Sequence, residues 1–202
     1  MTITDQHLLT SAKQDPITGG VEMPIRRCLV VHFTAGATAK SSIESMRERG
    51  LSAHLVIDRD GTIYQCRPFN IRCAHAGVSR WVDPKTGIRY DGLNGCSIGI
   101  ELANAGNDTG ALSWARKQPG FASIRAKHRN GGPEQEWESF YPPQLTALFE
   151  ASKLLVKRYN LDDLTSHDCI APERKEDVGP AAPLQRLREH CGFAGLPIAY
   201  RP

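Results

Sequence analysis

Two histidines and an aspartate carry the first chemical signal in this sequence. His32 sits at the end of the apolar run "RCLVVHFT", His167 ends "LTSH", and Asp177 follows ten residues later, ahead of Val-Gly-Pro. A ring at the end of a strand has a rigid backbone and projects beyond the sheet. Two imidazoles and one carboxylate are a suitable first shell for catalytic zinc, leaving a fourth position for water. One carboxylate against Zn²⁺ leaves net positive charge, which draws the pKa of a bound water toward ~7. Spacing alone does not select this trio, because seven histidines offer many such sets.

Glu101 adds to it. In "SIGIEL", Ile98, Ile100 and Leu102 alternate on one face while Ser97, Gly99 and Glu101 share the other. Glu101 therefore emerges over small residues at a strand end, where a cleft floor can lie. It suits a general base that takes a proton from water and returns it to a leaving amine. Lys175 lies two residues before Asp177, so a turn can aim its charge at the same place to stabilise an oxyanion. Arg174 can do likewise, or hold a substrate carboxylate by a bidentate contact. All these loop groups fall in "HDCIAPERKEDVGP", whose two prolines and glycine leave no regular helix or strand to organise them.

The elements that must position these groups follow from patterning. Arg27–Thr34 reads as a buried central strand. "SSIESMRERG" reads as a short helix with Ser41 or Ser42 as N-cap and Gly50 as its stop. "AHLVIDRDGTIYQCRP" holds two strand-like runs around Asp58-Arg59-Asp60-Gly61, a hairpin signal. Cys96–Asn104 is a further strand. Pro142-Pro143 open a helix whose apolar face is Leu145, Leu148, Phe149, Ser152, Leu155, Val156 and Tyr159, with Asn160 ending it. "LTSH" is a short strand, and a last helix spans about Leu184–His190. Strands interleaved with helices predict an α/β fold on a mixed central β-sheet flanked by helices, a single domain with its zinc site in a surface cleft.

At 202 residues, 40% hydrophobic and 23% charged, the chain suits one ordinary globular domain. Residues 1–24 read as an N-terminal arm and 25–202 as the catalytic domain, interrupted at about 105–140 by a Gly-, Arg- and Trp-bearing stretch with little periodicity. The net charge of +3, from 25 basic and 22 acidic residues with no basic run, points to no nucleic-acid partner. No apolar run approaches the ~20 residues of a membrane span. The N-terminus lacks a Sec-type signal, so synthesis and folding in the cytoplasm are expected. Six scattered cysteines without a CxxC pair give no disulfide scaffold, although Cys66 and Cys73 could meet across a short excursion.

In chain order, "VVHFTAG", "SAHLVIDRDGTIYQ", "AHAGVSRW", "NGCSIGIELAN" and "HDCIAPERKEDVGP" closely resemble the zinc-dependent N-acetylmuramoyl-L-alanine amidases of the type 2 amidase superfamily. The similarity is nearest to the bacterial anhydro-muropeptide amidases. It extends more distantly to phage lysozyme-named amidases and animal peptidoglycan recognition proteins, and runs from about Arg27 to Arg188 with gaps. The resemblance implies hydrolysis of the amide between N-acetylmuramic acid and L-alanine, in peptidoglycan or muropeptides. It makes His32, His167 and Asp177 the metal ligands, Glu101 the catalytic acid/base and Lys175 the transition-state stabiliser. It places His75, Trp81, Asn94 and Arg174 as substrate contacts and His54 as a structural or supporting histidine.

Departures from the family are few. Val178 stands where the family usually has proline, which would loosen the turn carrying Asp177. Some relatives use a cysteine as third ligand at the Asp177 position, which leaves Cys169 a bystander. Residues 107–140 form an insertion relative to the recycling amidases, a lid or a substrate-selecting wall with nearly balanced charge. Three settings fit a chain of this kind: a cytoplasmic recycling enzyme, a phage endolysin, or a toxin injected into a competitor's periplasm. The last would imply a cognate immunity protein plugging the cleft. The rival to catalysis is a non-catalytic peptidoglycan-binding module, which usually lacks a ligand; here all three positions are filled.

Overall fold

The computed structural model describes residues 1–196. Six strands form its central sheet: β1 (Lys13–Gln14), β2 (Cys28–Phe33), β3 (Leu55–Ile57), β4 (Ile63–Gln65), β7 (Ser97–Leu102) and β10 (Asp163–Ser166). Two hairpins stand outside it, β5 (Arg80–Val82) with β6 (Arg89–Asp91), and β8 (Ser123–His128) with β9 (Gly131–Glu138). The helices are α1 (Ala39–Glu48), α2 (Thr109–Ala115), α3 (Pro142–Tyr159), α4 (His167–Ile170) and α5 (Leu184–His190). Among the described residues no helix is long and apolar enough to cross a membrane.

The sheet runs β1-β4-β3-β7-β2-β10. β2 lies parallel to both β7 and β10, whereas β3 and β4 pair antiparallel, so the sheet is mixed. A strand covered on both faces and flanked on both edges reads as a continuous apolar run, which is why Cys28–Val31 contains no polar residue. Alternation then sorts the faces. Leu29 and Val31 of β2 join Ile98, Ile100 and Leu102 of β7 in the main core, under α3. His32 is register partner to Glu101, Val30 to Gly99 and Cys28 to Ser97 on the opposite face. Each buried Leu or Ile contributes roughly 1.5–3 kcal/mol, so the core face anchors the sheet and leaves the other face free for polar work.

Several local details differ from the patterning. Thr38, not Ser41 or Ser42, caps α1: its hydroxyl accepts from the Ser41 amide while Ser41 reciprocates, a capping box. α3 begins at Pro142 and ends at left-handed Asn160 as patterned, but its buried face is rotated. Leu148, Ser152 and Leu155 are buried together with Gln144, Ala147 and Ala151, while Leu145, Phe149, Val156 and Tyr159 are only partly covered. Small alanines let the helix approach the sheet, and Gln144 satisfies its amide there by donating to Ile57 O and Ala103 O, each at 3.0 Å.

The stretch read as aperiodic contains α2 and the β8–β9 hairpin. Its balanced charge is a cross-strand ladder, with Arg125 opposite Glu136 and Lys127 opposite Glu134. Charges on the solvent face masked the strand period. Glu138 lies outside the ladder: it is buried and receives both Arg59 Nε (2.9 Å) and Nη2 (2.8 Å). The first 24 residues lie along the sheet, adding β1 beside β4 and sending Leu9 and Met23 into the main core. Cys66 and Cys73 are both free thiols. Val178 is buried in the main core, so the residue after Asp177 is fixed by packing.

Candidate metal centre and active-site cleft

β2 and β10 run side by side, with Val31 opposite Ser166, so the next residues along, His32 and His167, stand as neighbours where that pairing ends. His167 does not simply end a strand: it opens the single helical turn α4, the one regular element in a loop read as irregular. Nδ1 of His32 lies 2.9 Å from Nδ1 of His167, and Asp177 Oδ2 lies 2.9 Å from each. All three side chains are buried.

The outer nitrogens fix the tautomers. His167 Nε2 donates to the Ala76 carbonyl at 3.1 Å. His32 Nε2 donates to His75 Nδ1 at 3.0 Å, and His75 Nε2 in turn faces the Ser97 hydroxyl at 3.2 Å. The Ser97 hydroxyl completes the chain by donating to Leu93 O at 2.7 Å. Both inner nitrogens therefore carry lone pairs, and these converge with a carboxylate oxygen on one point. A cation satisfies that arrangement, and the donor set is of the kind that binds zinc. Burial, aided by the neighbouring His167, pushes the His32 ring down to about 4, which keeps it neutral. Burial acts to raise the Asp177 carboxyl, but a proton on either facing imidazole outweighs it and holds the carboxyl below the usual carboxylate range. Neutral imidazole and ionised carboxylate are the forms a metal ligand needs.

His75 thus stands behind a ligand as well as beside the cleft. It can do so because β7 carries a glycine beneath it: a Cβ on Gly99 would come within 2.6 Å of the His75 ring. Burial lowers the His75 ring well below its ordinary value. His54 completes a row of histidines, its ring 6.0 Å from that of His75. Its Nδ1 accepts from the Gly99 amide at 3.0 Å and its Nε2 donates to Ile71 O at 2.9 Å, so its role is structural. Asn94 Oδ1 accepts from the amides of His75 (3.0 Å) and Ala76 (2.7 Å) and so shapes the wall. Arg174 reaches back to the same wall, donating to Ala76 O (2.8 Å) and Val78 O (2.6 Å).

The cleft over the trio has a volume of about 980 Å³, and Arg49, His75, Asn94, Glu101, His128 and Lys175 are among its lining residues. Glu101 is the register neighbour of His32, about 5 Å away across the sheet. Burial, with the Asp177 charge, raises its carboxyl to about 8, against the lowering influence of Lys175. Its Oε2 is buried without a hydrogen-bond partner. Trp81 requires a correction. It is 3% exposed, its indole N–H donates to Asp163 at 3.0 Å, and it clusters with Val30, Leu93 and Ile170, because pairing of β5 with β6 turns it inward. It is a core residue of the wall, not a contact surface. Ser97, Asp168 and His128 escaped notice in the sequence. Only the shared face of "SIGIEL" hinted at Ser97, and nothing local signals the other two.

The N-acetylmuramoyl-L-alanine amidase family profile matches residues 22–180. The chain is 30% identical over 187 residues to N-acetylmuramoyl-L-alanine amidase AmiD of Escherichia coli (strain K12), covering 88% of this chain and 57% of that protein. It is 36% identical over 143 residues to 1,6-anhydro-N-acetylmuramyl-L-alanine amidase AmpD of Citrobacter freundii, covering 68% of this chain and 56% of that one. Thus it spans a little over half the length of these relatives. A solved complex of E. coli AmiD with anhydro-N-acetylmuramic acid-L-Ala-D-gamma-Glu-L-Lys superposes with a TM-score of 0.63 at 27% identity, covering 92% of this chain and 62% of that one. The crystal structure of a selenomethionine AmpD derivative gives 0.63 at 27% identity, covering 94% and 99%.

Proposed function

Because the chain belongs to the N-acetylmuramoyl-L-alanine amidase family, we propose that it is a zinc-dependent amidase. It cleaves the bond between the lactyl group of N-acetylmuramic acid and the L-alanine of a stem peptide. The observation that supports this reading is the convergence of His32, His167 and Asp177 beside Glu101, at the floor of an open cleft. The muropeptide held by AmiD names the substrate class this cleft would take.

Zinc, when bound, would polarise the scissile carbonyl and acidify a water. The chain supplies the rest. His32, His167 and Asp177 would hold the ion, and the His75–Ser97 chain and the Ala76 carbonyl fix the orientation of the two rings. Glu101, beside the ion, takes a proton from the attacking water and returns it to the alanine nitrogen. A carbon–oxygen bond forms, the carbon–nitrogen bond breaks, and Glu101 ends as it began. Lys175 borders the same cleft and stabilises the oxyanion. Asn94 and Arg174 fasten the wall between His75 and Val78 against which the substrate lies.

Incubating the zinc-loaded protein with intact sacculi and with soluble anhydro-muropeptides, with mass detection, tests the proposal. Release of stem peptide with a free L-alanine amine is expected, and the preferred substrate separates wall lysis from muropeptide recycling. Binding of both substrates without release of peptide would identify a non-catalytic binding module instead.

A further inference from the structure

The loop that carries His167 and Asp177 is gripped at both ends by the β8–β9 hairpin. At the tip, His128 is buried and its Nδ1 accepts from the Asn130 amide at 3.1 Å, so its Nε2 bears the proton and donates to Asp168 Oδ2 at 3.0 Å. Arg129 Nε lies 3.2 Å from the same oxygen, and Asn130 Nδ2 donates to the Asp168 carbonyl at 2.8 Å. Three consecutive residues therefore converge on the residue after His167. Asp168 also ties the loop to itself, since its amide donates to Asp177 O at 2.5 Å. At the base, the buried Trp137 covers Gly179, two residues beyond Asp177. A Cβ on Gly179 would lie 2.9 Å from the indole, and that glycine has φ +69°. Between these points Asn107 donates to Glu176 at 2.7 Å. A register shift between Lys127 and His128 breaks the strand alternation where His128 turns to Asp168.

We propose that the β8–β9 hairpin is a splint for the metal loop, holding the residues that follow His167 and Asp177 at a fixed separation, with His128 as its main positioning residue. The proposal rests on the reading of the trio as a metal centre. It gives the 105–140 segment a purpose separate from any contact with substrate. Supporting groups of this kind typically alter metal affinity 10–100-fold, because they set where the ligands stand before the ion arrives.

The test uses the whole chain. Zinc affinity by chelator competition, the visible spectrum of the cobalt-substituted protein, and hydrogen exchange across 168–179 in the metal-free protein are measured for wild type, His128→Ala and His128→Gln. His128→Ala should weaken zinc binding by roughly ten-fold, change the cobalt spectrum and speed exchange in the loop but not in β2 or β7. His128→Gln, which can still donate to Asp168, should recover most of each change. Should His128→Ala fail to fold, the exposed pair Arg129→Ala with Asn130→Ala removes tip contacts and should shift the same readouts in the same direction. Unchanged affinity, spectrum and exchange in whichever variant folds would overturn the splint. If the wild type binds no zinc, the amidase reading fails, while loop exchange still decides whether the hairpin holds the loop.

Discussion

Glu101 shows how much one side chain's chemistry depends on its seat. On a surface its carboxyl would be ionised and hydrated; at the cleft floor near Asp177, half-buried with Oε2 shut off from solvent, it holds its proton more tightly. Glu101→Gln keeps the volume and removes the base, so zinc content and unfolding midpoint should stay near wild type while turnover falls about 10²–10⁴-fold. Full turnover in that variant would remove Glu101 from the reaction. His54 belongs to the same scale. Burial pushes its ring down to about 3, although the hydrogen bond to Ile71 O opposes this. In the unfolded chain it takes a proton near pH 6.5, so the unfolded state binds more protons as the solution is acidified. Stability present above about pH 6.5 is thus lost as pH falls toward the folded value. In chelated protein, wild type should lose about 1 kcal/mol more than His54→Gln between about pH 7 and about pH 5.5. Parallel curves in denaturant melts would show that His54 is not the titrating group.

Among the elements, the β8–β9 hairpin depends on one buried ion pair at its root. Arg59 comes from the turn between β3 and β4 and meets Glu138 at the end of β9, with side-chain exposures of 10% and 0%. Breaking such a pair leaves the buried Glu138 carboxylate with the Ala105 amide but no countercharge. Arg59→Met should therefore cost about 3–5 kcal/mol in urea unfolding, and adding Glu138→Leu should recover much of it. Equal losses in the single and double variants would mean that Arg59 acts through its stacking on Trp114, 5.0 Å from the ring centroid, rather than through its charge.

For the whole molecule, the sheet divides labour between its faces. The main apolar cluster of β2, β3, β7 and α3 lies on one face, and the His32–His167–Asp177 trio and the cleft on the other. Removing the metal should thus abolish hydrolysis while far-UV circular dichroism and cooperative unfolding survive, and zinc should restore activity. Loss of the fold on chelation would mark the ion as a structural one instead.

The sequence by itself determined that the buried strands and the long helix exist, because apolar period, proline and turn residues are local signals: Arg27–Thr34 and Cys96–Asn104, as read, enclose the observed Cys28–Phe33 and Ser97–Leu102, and Pro142–Tyr159 was legible at both ends. It also offered the candidate donors His32, His167 and Asp177. Only the tertiary structure decided that these meet, since parallel pairing of β2 with β7 and β10 joins residues far apart in the chain. The same holds for the inward turn of Trp81, the His32–His75–Ser97 chain and the grip of His128 on Asp168. Each is a contact between separate segments, and no local pattern of residue types encodes a partner that lies dozens of positions away.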